Sequence, residues 1–139
     1  MGTRSTIALE FADGTVSQVY CHWDGYLEHN GEILNKHYMD PFKVRDLVDL
    51  GDFSSLRETV EETKEGAYGY SRGEDCQARR YMNVSEYLAE CQQEEYDYLL
   101  RQIAGQPVWL VRCYATKDEW VTLGEARMNE SKMNEEGVQ

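Results

Sequence analysis

The segment from residue 6 to residue 22 constrains this chain more than any other. Ile7, Leu9 and Phe11 alternate with Ala8 and Glu10, Asp13-Gly14 breaks the run, and residues 15–22 return as a second β-run. Alternation with a period of two lines one face of a strand, and an Asp-Gly pair between two such runs marks a hairpin. A plain two-residue turn pairs Ser5 with His22 and Arg4 with Trp23, and it leaves Gln18 among the apolar side chains. A bulged turn shifts the pairing by one residue and aligns Val19, Cys21 and Trp23 with Ile7, Leu9 and Phe11. His22 and Asp24 then share the other face with Arg4 and Thr6. Such a slip moves every side chain of the strand to the opposite face. The bulged register is favoured, because it leaves fewer polar groups in the core.

The rest of the chain supplies helices and then more strands. Residues 26–38 predict a helix with Tyr26, Ile33, Leu34 and His37 near one stripe, and Gly31 permits a bend or a late start. Asp40 and Pro41 read as the cap and first residue of a second helix that Gly51 closes. The spacing of Ser55 and Glu58 is a capping box for a third, ending near Gly66. Residues 66–80 read as one long irregular stretch, and Ser85 as the cap of a short helix over 85–93. Strands are expected over 95–101, 108–114 and 119–123. The expected architecture is α+β: an antiparallel sheet of four or five strands with helices packed on one face. Residues 1–123 form the expected single domain, and residues 124–139, which lack an apolar stripe, the expected flexible polar tail. Ile7, Leu9, Phe11, Leu34, Leu47, Val48, Trp109 and Val111 are the expected core.

Charge narrows the classes of function. Lys and Arg number 14 against 26 Asp and Glu, a formal net charge of −12 over 139 residues. That argues against a general attraction to nucleic acid. It fits an acidic soluble protein, one that meets a basic partner, or one that imitates nucleic acid. No stretch reads as a signal peptide or a membrane span, so a cytoplasmic protein is expected. Cys21, Cys76, Cys91 and Cys113 lack C-x-x-C or zinc spacing and read as reduced thiols.

Chemistry-bearing side chains crowd the handover from the second strand to the first helix. Residues 20–31 hold two of the three histidines and one of the three tryptophans. His22, Asp24 and His29 match no metal-ligand spacing, and Cys21 and His22, adjacent on a strand, point to opposite faces. Ser5 could serve His22 as a nucleophile only in the plain-turn register. No catalytic residue, metal or cofactor is therefore expected. Ligand binding is better motivated: ten tyrosines and three tryptophans give many stacking surfaces, with clusters in the 20–26, 68–70 and 96–98 stretches. An aromatic ring beside an arginine or a glycine amide can hold a nucleobase and its phosphate. The candidate ligand-binding residues are Arg4, Tyr20, His22, Trp23, Asp24, Tyr26, His29, Asn30, Tyr68, Tyr70, Arg72 and Arg79.

Residues 3–8, 19–26, 29–31, 50–52 and 54–56, and again 70–73, 78–79 and 94–98, resemble a family of small acidic proteins encoded by tailed phages, T-even phages among them. The run Tyr20, Cys21, His22, Trp23, Asp24, Gly25 and Tyr26 carries most of the likeness. The resemblance implies a Sequestin-like sponge, a phage counter-defence protein that sequesters a cyclic nucleotide immune signal of the CBASS kind without catalysis. It also implies a homo-oligomer in the cytoplasm of the infected host, with neither nucleic acid nor membrane as a direct partner. Two other readings stand beside it: an acidic inhibitor of a host defence protein, and a nucleotide-degrading enzyme.

Overall fold

The computed structural model describes residues 2–73 and 76–136. The hairpin is β1 (Ser5–Glu10) and β2 (Val16–Cys21), and a π-helical turn (Leu27–Gly31) leads into α1 (Glu32–His37). Next come α2 (Pro41–Val48), α3 (Val60–Lys64), α4 (Tyr68–Ser71), β3 (Arg79–Tyr81) and α5 (Val84–Glu90). The chain closes with β4 (Tyr96–Ile103), β5 (Gln106–Arg112), a 3₁₀ turn (Tyr114–Thr116), β6 (Val121–Thr122) and α6 (Leu123–Glu136). One sheet runs in the order β3-β2-β1-β4-β5-β6. The β1–β4 pair is parallel and the others are antiparallel.

The α+β class is as expected, but the sheet has six strands rather than four or five and is mixed rather than antiparallel. Alternation assigns a strand its faces without naming its partner, so the parallel pairing across 91 residues was not readable. β3 was hidden in the segment read as irregular, which also holds the single turn α4. Residues 74 and 75 of that segment lie outside the described residues.

The hairpin takes the bulged register, with Ile7 opposite Val19 and Ser5 opposite Cys21. The Phe11 amide donates to the Thr15 carbonyl (2.8 Å) and the Gly14 amide to the Phe11 carbonyl (2.9 Å). Gly14 sits at φ +90°, which side chains resist, so glycine sets this turn and with it the faces of both strands.

On the first face, Ile7, Leu9, Val19, Cys21, Tyr98, Leu100, Trp109 and Val111 pack against Leu27, Leu34, Val44, Leu47 and Val48. All the expected core residues are buried there except Phe11, which is half-buried at its margin. Asp40 caps α2 through the Phe42 amide (3.0 Å), and Gly31 marks the change from the π-turn to α1. Other caps lie elsewhere than expected: Thr59, not Ser55, accepts from Glu62 at the start of α3, and Asn83, not Ser85, accepts from Glu86 at the start of α5. Each sequence offers two acceptors a few residues apart, and tertiary packing chooses between them.

The second face is covered too, which corrects the expectation of helices on one face. α5 lays Tyr87, with Cys91 beyond it, over Ala8, Val16 and Leu99. Next to this apolar patch a polar chain crosses four strands. The Gln18 amide donates to the Thr6 hydroxyl (2.9 Å), which donates to Asp97 (2.6 Å), and Arg112 donates to the other Asp97 oxygen (3.3 Å). Burial pushes the Asp97 carboxyl up, while Thr6, the Glu94 amide and Arg112 favour its charged form. These residues read as a solvent face because they are polar; they are buried because they satisfy one another.

The C-terminal segment read as a flexible tail is helical in α6, as far as residue 136. Leu123, Ala126 and Glu130 are its buried positions, spaced by three and four residues. Tyr114 donates to Glu130 (2.8 Å), so a carboxyl group rather than an apolar side chain fills the third of these positions. Among the described residues no helix is long and apolar enough to cross a membrane.

Two substitutions test the packing of the two faces. Trp109 is buried and its indole N–H donates to the Tyr38 carbonyl (3.0 Å), so Trp109→Ala lowers unfolding free energy by about 3–5 kcal/mol in chemical denaturation. Asp97→Ala leaves Arg112 buried without its carboxylate and costs about 3–5 kcal/mol, whereas the paired change Asp97→Leu with Arg112→Met costs less than Asp97→Ala alone. A double-mutant cycle by the same denaturation measurement checks the sign.

Candidate ligand-binding site

The end of β2 is held by a short segment that sequence distance hides. The Phe53 amide donates to the Tyr20 carbonyl (3.0 Å), and the amides of His22 and Trp23 donate to the carbonyls of Phe53 (3.3 Å) and Ser54 (2.9 Å). On its other side this segment takes the Gly66 carbonyl through the Ser54 amide (2.9 Å). Residues 52–54 thus wedge between the strand end and the start of α4.

Asp52 is the hub of that wedge. One carboxylate oxygen accepts from the Tyr20 amide (2.8 Å) and from Arg79 (2.9 Å), and the Asp52 carbonyl accepts from the Tyr68 amide (3.0 Å). One acidic residue therefore brings together three of the candidate residues. It was absent from the candidate set, since its only sequence signal was a place within the family resemblance.

Tyr20 and His22 project onto the second face, beyond the reach of α5. The Tyr20 hydroxyl is hydrogen-bonded to His22 Nδ1 (2.7 Å), and the His22 ring meets Trp23 edge-on at 4.7 Å between centroids. Trp23 is 42% exposed. Across the wedge, the Arg72 guanidinium lies over the Tyr68 ring at 4.7 Å, and the Lys64 ammonium lies over Tyr70 at 5.3 Å. Burial pushes the Tyr20 and Tyr68 hydroxyls up, opposed at Tyr20 by Arg4 and at Tyr68 by Arg72. Both phenols therefore stay neutral at neutral pH and keep a proton to donate. Around the wedge stand Tyr20, His22, Trp23, Tyr68, Arg72 and Arg79, with Arg4 acting on the Tyr20 hydroxyl, while Tyr70 follows two residues after Tyr68 on α4 and carries Lys64.

Four candidate residues do other work. Asp24 takes the left-handed conformation (φ 57°) and turns the chain. Gly25 follows it because a β-carbon there would fall 2.6 Å from that of Ser5. Tyr26, His29 and Asn30 then lie on the helical layer of the first face. Asn30 is fully buried, donating to Ser5 Oγ (3.2 Å) and Cys21 Sγ (3.4 Å) while its carbonyl oxygen meets His29 Nδ1 (2.9 Å). That is a structural pin between the π-turn and the hairpin. Ser5 and His22 face opposite sides of the sheet, so they form no nucleophile–base pair.

Among the described residues no group of three or more His, Cys, Asp or Glu side chains is placed to hold a metal ion. Comparison of the chain with protein-family models, with curated proteins and with solved structures finds no significant match.

Asp52→Ala removes the acceptor of the Tyr20 amide and the counter-charge of Arg79. The expected loss is about 1–3 kcal/mol of stability, read by denaturation, since the amide and the guanidinium both lose a charge-assisted bond.

Proposed function

We propose that this protein binds a cyclic nucleotide immune signal at the Tyr20–Tyr68 patch and sequesters it unchanged, as a phage counter-defence sponge. The observation that carries the reading is the joining of the Tyr20–His22–Trp23 ring series to the Arg72–Tyr68 pair through Asp52. A chain of net charge −12 repels an anionic nucleotide at long range, so binding needs cations and ring faces gathered locally. The cations proposed to meet phosphate are Arg4 and Arg72, the latter over the Tyr68 ring, while Arg79 binds Asp52. Trp23 and Tyr70 are the most exposed rings of the patch, suited to stack a base. The family resemblance supports the same ligand class, and with it action as an oligomer in the host cytoplasm.

Incubation with a library of cyclic nucleotides, followed by heat denaturation and identification of what is released, tests the reading directly. A sponge returns its nucleotide intact, whereas a nucleotide-degrading enzyme returns product. Arg72→Ala weakens calorimetric affinity for the retained nucleotide by about 1.5–3 kcal/mol, the scale of a charge-assisted hydrogen bond. Trp23→Ala and Tyr70→Ala each weaken it by about 1–3 kcal/mol, the scale of a stacked base. Wild-type affinity in all three variants places the ligand elsewhere. Retention of no nucleotide overturns the reading and leaves an acidic inhibitor of a host defence protein, for which the exposed Glu58, Glu61, Glu62 and Glu65 offer a contact surface.

A further inference from the structure

A cleft of about 600 Å³ opens on the opposite side of the hairpin from the patch, between the ends of β1 and β4 and the first turns of α2. Leu9, Phe11, Leu100 and Phe42 give it an apolar lining, and Arg45 and Arg101 stand at it as cations. Phe42 is 68% exposed, although its neighbours on α2 at Val44, Leu47 and Val48 are buried. A volume of this size and an apolar lining with few polar groups are what small-molecule sites share.

The cations are not equivalent. Arg101 donates to Glu10 from Nε (2.9 Å), so its charge is matched within the protein. Arg45 meets no carboxylate among the described residues; its guanidinium lies over the Phe42 ring at 5.3 Å. In a chain with 26 acidic residues against 14 basic ones, most cations could find an acid, and Arg79, Arg101, Arg112 and Arg127 each do. With Arg101 cancelled by Glu10, Arg45 is the lining cation whose charge stays unmatched beside an uncovered apolar wall; Arg80, over the Phe11 ring at 5.4 Å, stands outside the lining. An occupant that suits it has an apolar body to cover Phe42 and Phe11 and a single anionic head for Arg45. A polyphosphate would exceed the charge available.

We propose that this cleft is a second ligand site, independent of the nucleotide patch, that takes a small amphipathic monoanion: an apolar or aromatic body with one carboxylate or phosphate-type head. Arg45 binds the head and Phe42 covers the body.

Titration of the intact protein with the fluorescent aromatic sulfonate 8-anilinonaphthalene-1-sulfonate tests it. Saturable one-to-one binding is expected, displaced by decanoate or decyl phosphate but not by the neutral decanol. Which of the two anions competes better identifies the natural head group. Arg45→Gln weakens binding of the dye by about tenfold, the loss of one charge-assisted contact, and Phe42→Ser weakens it comparably. Arg57→Gln, an exposed arginine away from the cleft, leaves it unchanged. Raising salt to about 0.5 M weakens wild-type binding, a readout that depends on no variant. Non-saturable binding, equal displacement by decanol, wild-type affinity in Arg45→Gln or indifference to salt each overturns the proposal. None of these readouts involves a nucleotide, so failure here is separate from failure of the patch.

Discussion

Gln18 carries the constraint on which the second face of the sheet depends. Its side-chain amide donates to Thr6 (2.9 Å) and to the Gln92 carbonyl (2.9 Å), and its carbonyl oxygen accepts from Tyr81 (3.0 Å) and the Gln92 amide (3.3 Å). Through Thr6 the chain of bonds continues to Asp97 and Arg112, so one glutamine ties together β3, β2, β1, β4 and β5 in their spatial order. A buried amide left without partners costs more than the net worth of the bonds it makes. Full satisfaction is therefore a condition for the chain after α5 to close over the sheet at residue 92. Where that cover stops, Tyr20 and His22 emerge, and the candidate patch begins at the edge of the polar network.

Asp52 plays the matching part at the patch. A carboxylate there could have opposed an anionic ligand, but its oxygens are occupied by the Tyr20 amide and by Arg79, so its charge is neutralised where it stands. Nearby, Arg72 and Lys64 lie over the rings of Tyr68 and Tyr70. Ring contacts of this kind recur across the molecule: Arg72 over Tyr68, Arg45 over Phe42, Arg80 over Phe11 and, beside its bond to Asp97, Arg112 over Trp120. A ring face attracts a cation without cancelling its charge, whereas a carboxylate cancels it. At Arg45, which meets no carboxylate among the described residues, this keeps an island of positive potential that the net charge conceals. The patch and the cleft each hold a cation–ring pair, Arg72 over Tyr68 and Arg45 over Phe42.

Parts of the candidate site were legible as residue types and parts were not. Tyr20, His22 and Trp23 stood out because aromatic and titratable side chains were dense, and the register placed Tyr20 and His22 on one face. Tyr68 and Arg72 stood out as a cation beside rings in an acidic chain. Asp52 was illegible because it lies 32 residues from Tyr20 and 27 from Arg79, and nothing local marks it. Asn30 looked like a ligand donor by its type, and only its burial against Ser5 and Cys21 shows that its bonds are internal.

The sequence by itself determined the local geometry: the Asp13–Gly14 bulged turn, the faces of β1 and β2, the Asp40 cap and the apolar set that packs on the first face. Each rests on contacts a few residues apart, or on a period that repeats along one element. Tertiary structure alone decided which strand lies beside β1, that a polar face would be buried, and that residues 123–136 would be helical around a carboxylate. Those outcomes depend on polar groups finding partners outside their own element, as Thr6 finds Asp97 across 91 residues and Tyr114 finds Glu130 across 16. A polar side chain carries the same sequence signal whether water or a distant partner completes its bonds, and only the folded chain makes the choice.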